Sequence, residues 1–230
     1  MKESINVALA QIAPVWLNKK QTLLKIEAAV SEAAAQKANL VAFGETVLPG
    51  YPFWIELTDG ARFNSSLQKE LFSHYLKEAV NIDGGDLEPV CALAKKYRLA
   101  VYLGCAERAQ DRAGHSIYCS MVYINADGVI CSVHRKLMPT YEDRLAWSIG
   151  DGNGLQVHPL EAFSVGGLNC WENWMPLART ALYAQGENLH VAIWPGNKRN
   201  TVDLTRHIAL ENRMFVLSVS GLMLKEHITP

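Results

Sequence analysis

One cysteine in this 230-residue chain stands where a nucleophile could. Cys170 follows a short apolar run, residues 163–168, that carries the Gly166-Gly167 kink. It precedes Pro176-Leu-Ala-Arg-Thr-Ala-Leu-Tyr-Ala-Gln185, which reads as a helix with proline in its first turn. A thiol between a strand end and a helix start can have its thiolate favoured by the helix N-terminus. A lone cysteine is more often a small buried apolar residue, so its company decides. A cysteine nucleophile needs a group to take its proton, and a carboxylate beside a lysine does that while the ammonium stabilises negative charge on the attacked group. Glu45, just past the apolar run 40–43, and Lys136, in His134-Arg-Lys-Leu-Met-Pro-Thr140, each stand just after a predicted strand. Taken singly, Glu45 reads as a loop acid and Lys136 as a solvated lysine. A Cys-His pair is less well supported, because His134, His158, His190 and His207 read as strand-edge or surface residues. No G-x-S-x-G elbow supports a serine triad.

These residues need a frame. Residues 5–12 form a β-type apolar run. A helix follows, capped by Asn18, with Leu23, Ile26, Val30 and Ala33 at helical spacing. Residues 40–43 are a short buried strand, 46–60 a loop rich in proline, glycine and aromatics, and 67–80 a helix that Gly84-Gly85 closes off. Asp86 is expected to cap a further helix with Leu87, Val90, Ala94 and Tyr97 on one face. Residues 99–105 are a strand. Residues 117–124 and 129–134 form a hairpin through Asn125-Ala-Asp-Gly128. A loop-rich connection spans 136–153. Strand 189–194, helix 201–213 and strand 215–219 complete the pattern. Strands alternating with helices around an inserted hairpin indicate an α/β fold with a mixed sheet, whose ligands sit at the carboxyl ends of strands.

Composition narrows the rest. Hydrophobic residues make up 49% and charged residues 20%, in keeping with one globular domain spanning 1–230. The net charge of -1 and the lack of a basic block speak against nucleic acid, and no apolar run is long enough to span a bilayer. The five cysteines, an odd number without a CxxC pair, argue against a disulfide framework or a zinc site and for the cytoplasm.

Three stretches resemble the nitrilase superfamily of carbon-nitrogen hydrolases, in the family's order and within its nitrilase branch. They are Phe43-Gly-Glu-Thr-Val-Leu-Pro-Gly-Tyr-Pro52, His134-Arg-Lys-Leu-Met-Pro-Thr140 and Gly167-Leu-Asn-Cys-Trp-Glu-Asn-Trp-Met-Pro-Leu177, with further similarity at His207-Ile-Ala-Leu-Glu-Asn-Arg213. The resemblance implies an αββα sandwich and a site without metal or cofactor. It makes Glu45 the general base, Lys136 the lysine and Cys170 the nucleophile. It also implies hydrolysis of a small nitrile to acid and ammonia through a thioimidate and a thioester. The family has a second glutamate seven residues after the lysine. Asp143 stands there, preceded by Glu142, and Asp143 is the expected counterpart. Tyr51, Phe53, Trp54, Trp171 and Trp194 are candidate pocket walls, Trp171 foremost, although clustered aromatics are more often core. The chain stops at Pro230 where the family continues, which suggests a C-terminally shortened member that covers an apolar face by forming a homo-oligomer. Two other functions compete: an amidase or N-carbamoyl hydrolase of the same superfamily, and a catalytically dead assembly module.

Overall fold

Alternation of side chains along the strands decides how the layers stack. In the computed structural model, which describes residues 4–196, 198–199 and 201–227, β1 (Val7–Ala10), β2 (Leu40–Phe43), β3 (Ala100–Ala109), β4 (Ser116–Ile124) and β5 (Ile130–Arg135) form one five-stranded sheet in that order. β1, β2 and β3 run parallel; β3, β4 and β5 are antiparallel. A second sheet of four strands has the order β6 (His158–Leu160), β7 (Phe163–Asn169), β8 (Leu189–Trp194) and β9 (Phe215–Ser220), parallel except for β6 against β7.

Leu40, Ala42, Ala100, Tyr102 and Met121 of the first sheet face Val165, Val191 and Ile193 of the second, which makes the central core. Val41, Phe43, Val101 and Leu103, one residue out of phase, point the other way. They pack under α1 (Lys19–Ala35) and, beyond the short α2 (Trp54–Leu57) and α3 (Ser66–Glu78), under α4 (Glu88–Tyr97). On the far side α5 (Pro176–Tyr183) covers Leu168, and α6 (Val202–Glu211) covers Ala192 and Trp194. A period of two in each strand and an apolar stripe on each helix thus produce an αββα sandwich.

Local signals work as expected in several places. Asn18 Oδ1 accepts the Gln21 N–H at 3.0 Å, and Pro176 opens α5. The β4–β5 turn is held by the Asn125 side chain, which accepts from the N–H groups of Asp127 and Val129, with Gly128 at φ +78°. Other expectations need correcting. Asp86 does not cap α4; its carboxylate accepts the Asn81 N–H at 2.7 Å and pairs with Lys19 at 2.6 Å, and Leu87 occupies the cap position. The first strand is four residues rather than the eight of the apolar run. Strand β6 escaped notice because it is three residues long and contains Pro159, which an edge strand tolerates.

Two polar ties join the sheets where the strands end. The Trp194 carbonyl at the end of β8 accepts both the Glu45 N–H at 3.0 Å and the Gly221 N–H at 3.1 Å. A Cβ on Gly44 would lie 2.3 Å from the Gly221 nitrogen, so only glycine allows this approach. The second tie is the buried carboxylate of Glu172, which accepts from His134 Nε2 of β5 at 3.0 Å, from the Leu137 N–H at 2.6 Å and from the Asn169 N–H of β7 at 3.0 Å. Burial alone would raise its pKa, but His134 and the two backbone donors outweigh burial and hold it below the usual 4.5.

Glu172→Gln preserves the shape and removes the charge. It is expected to cost about 3 kcal/mol of stability at neutral pH. Because the folded pKa is depressed, the stabilisation is present above the ordinary glutamate value and is lost as pH falls through the folded one. Denaturant titrations of both chains from pH 7 downward check this; a cost that does not shrink on acidification would show that the carboxylate charge is not what joins the sheets.

Candidate active site

Glu45, Lys136, Asp143 and Cys170 converge at the carboxyl ends of β2, β5 and β7. Glu45 is the second residue past β2, and Lys136 follows β5, its N–H donating to the Cys119 carbonyl at 2.7 Å. Both side chains are fully buried, with Lys136 Nζ 2.9 Å from Glu45 Oε1. Nζ also lies 3.6 Å from Asp143 Oδ2 and 5.4 Å from the centre of the Trp147 ring. The Nζ–Oε1 contact is close but poorly aligned for a hydrogen bond, and Oε2 of Glu45 is buried with no partner.

Asp143 sits in a single 3-10 turn, Tyr141–Leu145. Its Oδ1 accepts the Tyr51 hydroxyl at 2.6 Å and its Oδ2 the Thr140 N–H at 3.3 Å. It is buried, whereas Glu142 is exposed. Of the two adjacent carboxylates, the one that faces the lysine is therefore Asp143. The expectation that Tyr51 contacts substrate gains a second aspect, since its hydroxyl steadies Asp143.

Cys170 is 8% exposed and has φ +44°, a left-handed backbone that costs an ordinary side chain of order 1–2 kcal/mol. The turn is held from below. Asn173 Nδ2 donates to the carbonyls of Leu168 (3.2 Å) and Cys170 (2.9 Å). Its Oδ1 meets His190 Nε2 at 2.8 Å, and His190 Nδ1 meets Glu187 Oε1 at 2.8 Å. Three of the four histidines taken as strand-edge or surface residues are thus buried: His134 and His190 in carboxylate-linked supports of the site, and His158 stacked on Tyr123. Only His207 of that set is exposed. Spacing did not show this, because Glu172, Asn173 and Tyr123 reach these rings from other strands and turns; only Glu187, three positions before His190, is near in the chain.

The electrostatics follow from burial. Burial and the Glu45 charge hold the Cys170 thiol well above its usual range, against the pull of Lys136, so the resting sulfur carries its proton. A thiolate favoured by a helix N-terminus, as the sequence suggested, is outweighed. Burial raises Glu45 and Asp143 as well, with Lys136 opposing. Burial would lower Lys136, but Glu45 and its other neighbours reverse this and keep the ammonium charged. Two carboxylates against one ammonium leave excess negative charge, which favours a proton on one acid.

Glu45 opens onto a cleft of about 480 Å³ walled by Trp16, Val47, Tyr51, Phe53 and Pro195, with Leu222 and Met223 at its edge. Three expected wall residues are not among its lining. Trp54 is buried against Trp16 and Tyr75; Trp194 is buried and its Nε1 donates to Ser218. Trp171 lies half-exposed beside Trp174 with ring centres 5.9 Å apart. Trp16 and Trp147 were overlooked. Cys131 is exposed. Among the described residues no group of three or more His, Cys, Asp or Glu side chains could hold a metal ion, and no helix is long and apolar enough to cross a membrane.

The sandwich is shared with solved enzymes. The amidase from Nesterenkonia sp. AN1 superposes with a TM-score of 0.72 at 18% identity, covering 95% of this chain and 78% of that one. The carbon-nitrogen hydrolase from Helicobacter pylori G27 does so with a TM-score of 0.68, also at 18%, over 96% and 75%. At such identities the likeness shows the fold. The chain belongs to the carbon-nitrogen hydrolase family, which it matches over residues 6–226. It is 34% identical over 219 residues to nitrilase 2 of an unknown prokaryotic organism, covering 95% of this chain and 68% of the relative. It is 36% identical to an aliphatic nitrilase of Sinorhizobium fredii (92% and 67%), and 32% identical to the bifunctional nitrilase/nitrile hydratase NIT4A of Nicotiana tabacum (94% and 61%). The chain spans about 60–68% of the length of such relatives.

Asp143→Asn is expected to slow turnover on the order of 10²-fold, because a displaced positioning group can cost that much. Glu142→Gln, on the exposed neighbour, should stay within about twofold, as surface charges contribute little. Steady-state rates of the two variants decide between the carboxylates; a silent Asp143→Asn beside a damaging Glu142→Gln would reverse the assignment.

Proposed function

We propose that this chain hydrolyses a small organic nitrile to a carboxylic acid and ammonia, with Cys170 as nucleophile. The observation that carries the reading is the buried Lys136 ammonium between Glu45 and Asp143, with Cys170 held in a left-handed turn at the end of the facing sheet. The names of the relatives at 32–36% identity support nitriles as the substrate class.

In this proposal Glu45 takes the thiol proton as the sulfur adds to the nitrile carbon and passes it to the nitrile nitrogen, giving a thioimidate and restoring the Glu45 carboxylate. Water, deprotonated by Glu45, adds to the same carbon. Lys136 stabilises the tetrahedral species. Cleavage of the carbon-nitrogen bond releases ammonia and leaves a thioester. A second water adds, the carbon-sulfur bond breaks, and the acid departs as the thiol recovers its proton. Two waters are consumed for each nitrile. Asp143 holds the ammonium in place. If the carbon-sulfur bond breaks before the carbon-nitrogen bond, the product is the amide, an outcome consistent with the double name of the Nicotiana relative.

The second reading, amide hydrolysis, is favoured by the name of the Nesterenkonia neighbour, and the same residues serve it. A panel of nitriles and matching amides scored for ammonia separates the two. Release from amides alone selects the amidase. Release from neither by a folded chain selects a non-catalytic module. We also infer self-assembly. Leu177 on α5 and Leu210 on α6 are largely exposed, apolar positions on the outer helical layer that a second copy would cover. Sedimentation velocity is expected to show an oligomer; a stable, soluble monomer removes this part of the proposal.

Cys170→Ala is expected to abolish turnover with the fold intact, and Glu45→Gln to lower kcat at least on the order of 10²–10⁴-fold. The pH profile carries the sign of the site. Glu45 must be ionised to act and its pKa is raised, so activity should rise with pH along a limb above the ordinary glutamate value of 4.5. Lys136 is raised, so no loss should appear below the ordinary lysine value of 10.5. An acid limb at or below the ordinary glutamate value would take the base role away from a buried Glu45.

A further inference from the structure

Glu45 has a neighbour that the chemistry above leaves idle. Cys119 lies in β4, fully buried, and its Sγ is 3.3 Å from Glu45 Oε1. Burial, and next the charge of Glu45, push this thiol well above its usual range, so it remains an S–H donor. The backbone of the same residue accepts the Lys136 N–H at 2.7 Å. One residue thus touches both members of the buried pair.

The two oxygens of Glu45 are made unlike by these contacts. Oε1 faces Lys136 Nζ at 2.9 Å and the Cys119 thiol at 3.3 Å. Oε2 is buried without a partner. An orphaned buried carboxylate oxygen is costly, and at a reactive site it is the natural place for a proton to arrive. The terminal torsion of a glutamate is broad, so an ammonium that approaches off the hydrogen-bonding direction does not by itself fix the carboxylate plane. A second donor from another strand does.

We propose that Cys119 is the positioning residue of Glu45: its S–H donates to Oε1, fixes the carboxylate plane and reserves Oε2 as the oxygen that takes the Cys170 proton and then a proton from water. The inference rests on the hydrolytic reading given above for the identity of the proton donors, but the thiol–carboxylate contact can be measured without turnover. Without this donor the ionised form of Glu45 loses a hydrogen bond and its pKa rises further. The other titratable groups facing the pair are Lys136 after β5, Asp143 in the 3-10 turn, Cys170 after β7, Tyr51 in the loop after Glu45, and Tyr75 of α3 against Cys119. None of them is altered in the Cys119 variants.

Cys119→Val keeps the bulk and removes the donor; Cys119→Ser keeps a donor in a smaller side chain. A hydrogen bond to a charged group corresponds to roughly tenfold or more, and a thiol stands at the low end. The valine variant is therefore expected to lose about tenfold in kcat with KM little changed, and to move the acid limb of kcat/KM upward. The serine variant should hold both near wild type. Infrared difference spectra of the resting protein give the second readout. The Glu45 carboxyl band, identified by its loss in Glu45→Gln, should titrate at higher pH in Cys119→Val. The Cys119 S–H band, identified by its loss in Cys119→Ser, should shift in Glu45→Gln. A valine variant whose Glu45 band titrates as in wild type, or an S–H band indifferent to Glu45→Gln, overturns the proposal. If the Cys119 variants do not fold, Cys170→Ala removes the other buried thiol coupled to Glu45, and a buried S–H band that shifts between Cys170→Ala and Cys170→Ala/Glu45→Gln reports the contact, while no shift overturns it. A chain that turns over neither nitriles nor amides yet shows the band shifts leaves the positioning contact standing and removes only the hydrolytic reading.

Discussion

A lysine ammonium and a glutamate carboxylate, both removed from water, lie 2.9 Å apart where two strands of one sheet end. Desolvating two charges is expensive, and their attraction repays that cost only when the geometry is held and the remaining valences are met. Much of the surrounding structure meets that condition. The Glu45 N–H is fixed by the Trp194 carbonyl of the other sheet, and the Lys136 N–H by the Cys119 carbonyl. Asp143 and the Trp147 ring approach the ammonium from other sides. Charge is nevertheless left over. Oε2 of Glu45 has no partner among the described residues, and with Asp143 the cluster sets two carboxylates against one ammonium.

The proposed nucleophile, Cys170, comes from the other sheet, so the site exists only if the two sheets keep a fixed register at their ends. The central apolar core holds the layers together without fixing that register finely, since contact between flat apolar faces is not directional. Directional bonds provide it. Glu172 accepts from the strand end that carries Lys136 and from the strand end that carries Cys170. Asn173 takes up two carbonyls of the Cys170 turn and is itself braced by His190 and Glu187. Buried and largely satisfied, these networks are rigid, and a strained residue persists only where its surroundings over-determine it. The left-handed Cys170 is such a residue.

The elements themselves were legible. Short apolar runs became strands, stripes at helical spacing became α1 and α4, Asn125 to Gly128 became a turn, and Pro176 opened α5. These signals act between residues close in the chain, and local backbone preference was enough to express them. The three motifs in order led to Glu45, Lys136 and Cys170, and strand ends are where an α/β sheet presents its ligands. Asp86 shows the limit even of a local rule: a good capping residue was drawn instead to Lys19, which packs against it from α1.

What the sequence determined on its own was therefore the kinds of elements, their order and the residues that could react. Tertiary structure decided which side chains face which partner. Glu142 and Asp143 are adjacent in an irregular turn without periodicity, and only the packing of that turn sends Asp143 inward. His134 and Glu172 are 38 positions apart, Cys119 and Glu45 74, and Tyr51 and Asp143 92. No local pattern encodes such pairs. Their meeting depends on the stacking of two sheets and on the low-dielectric space between the strand ends, where a charge or donor is stable only beside its complement.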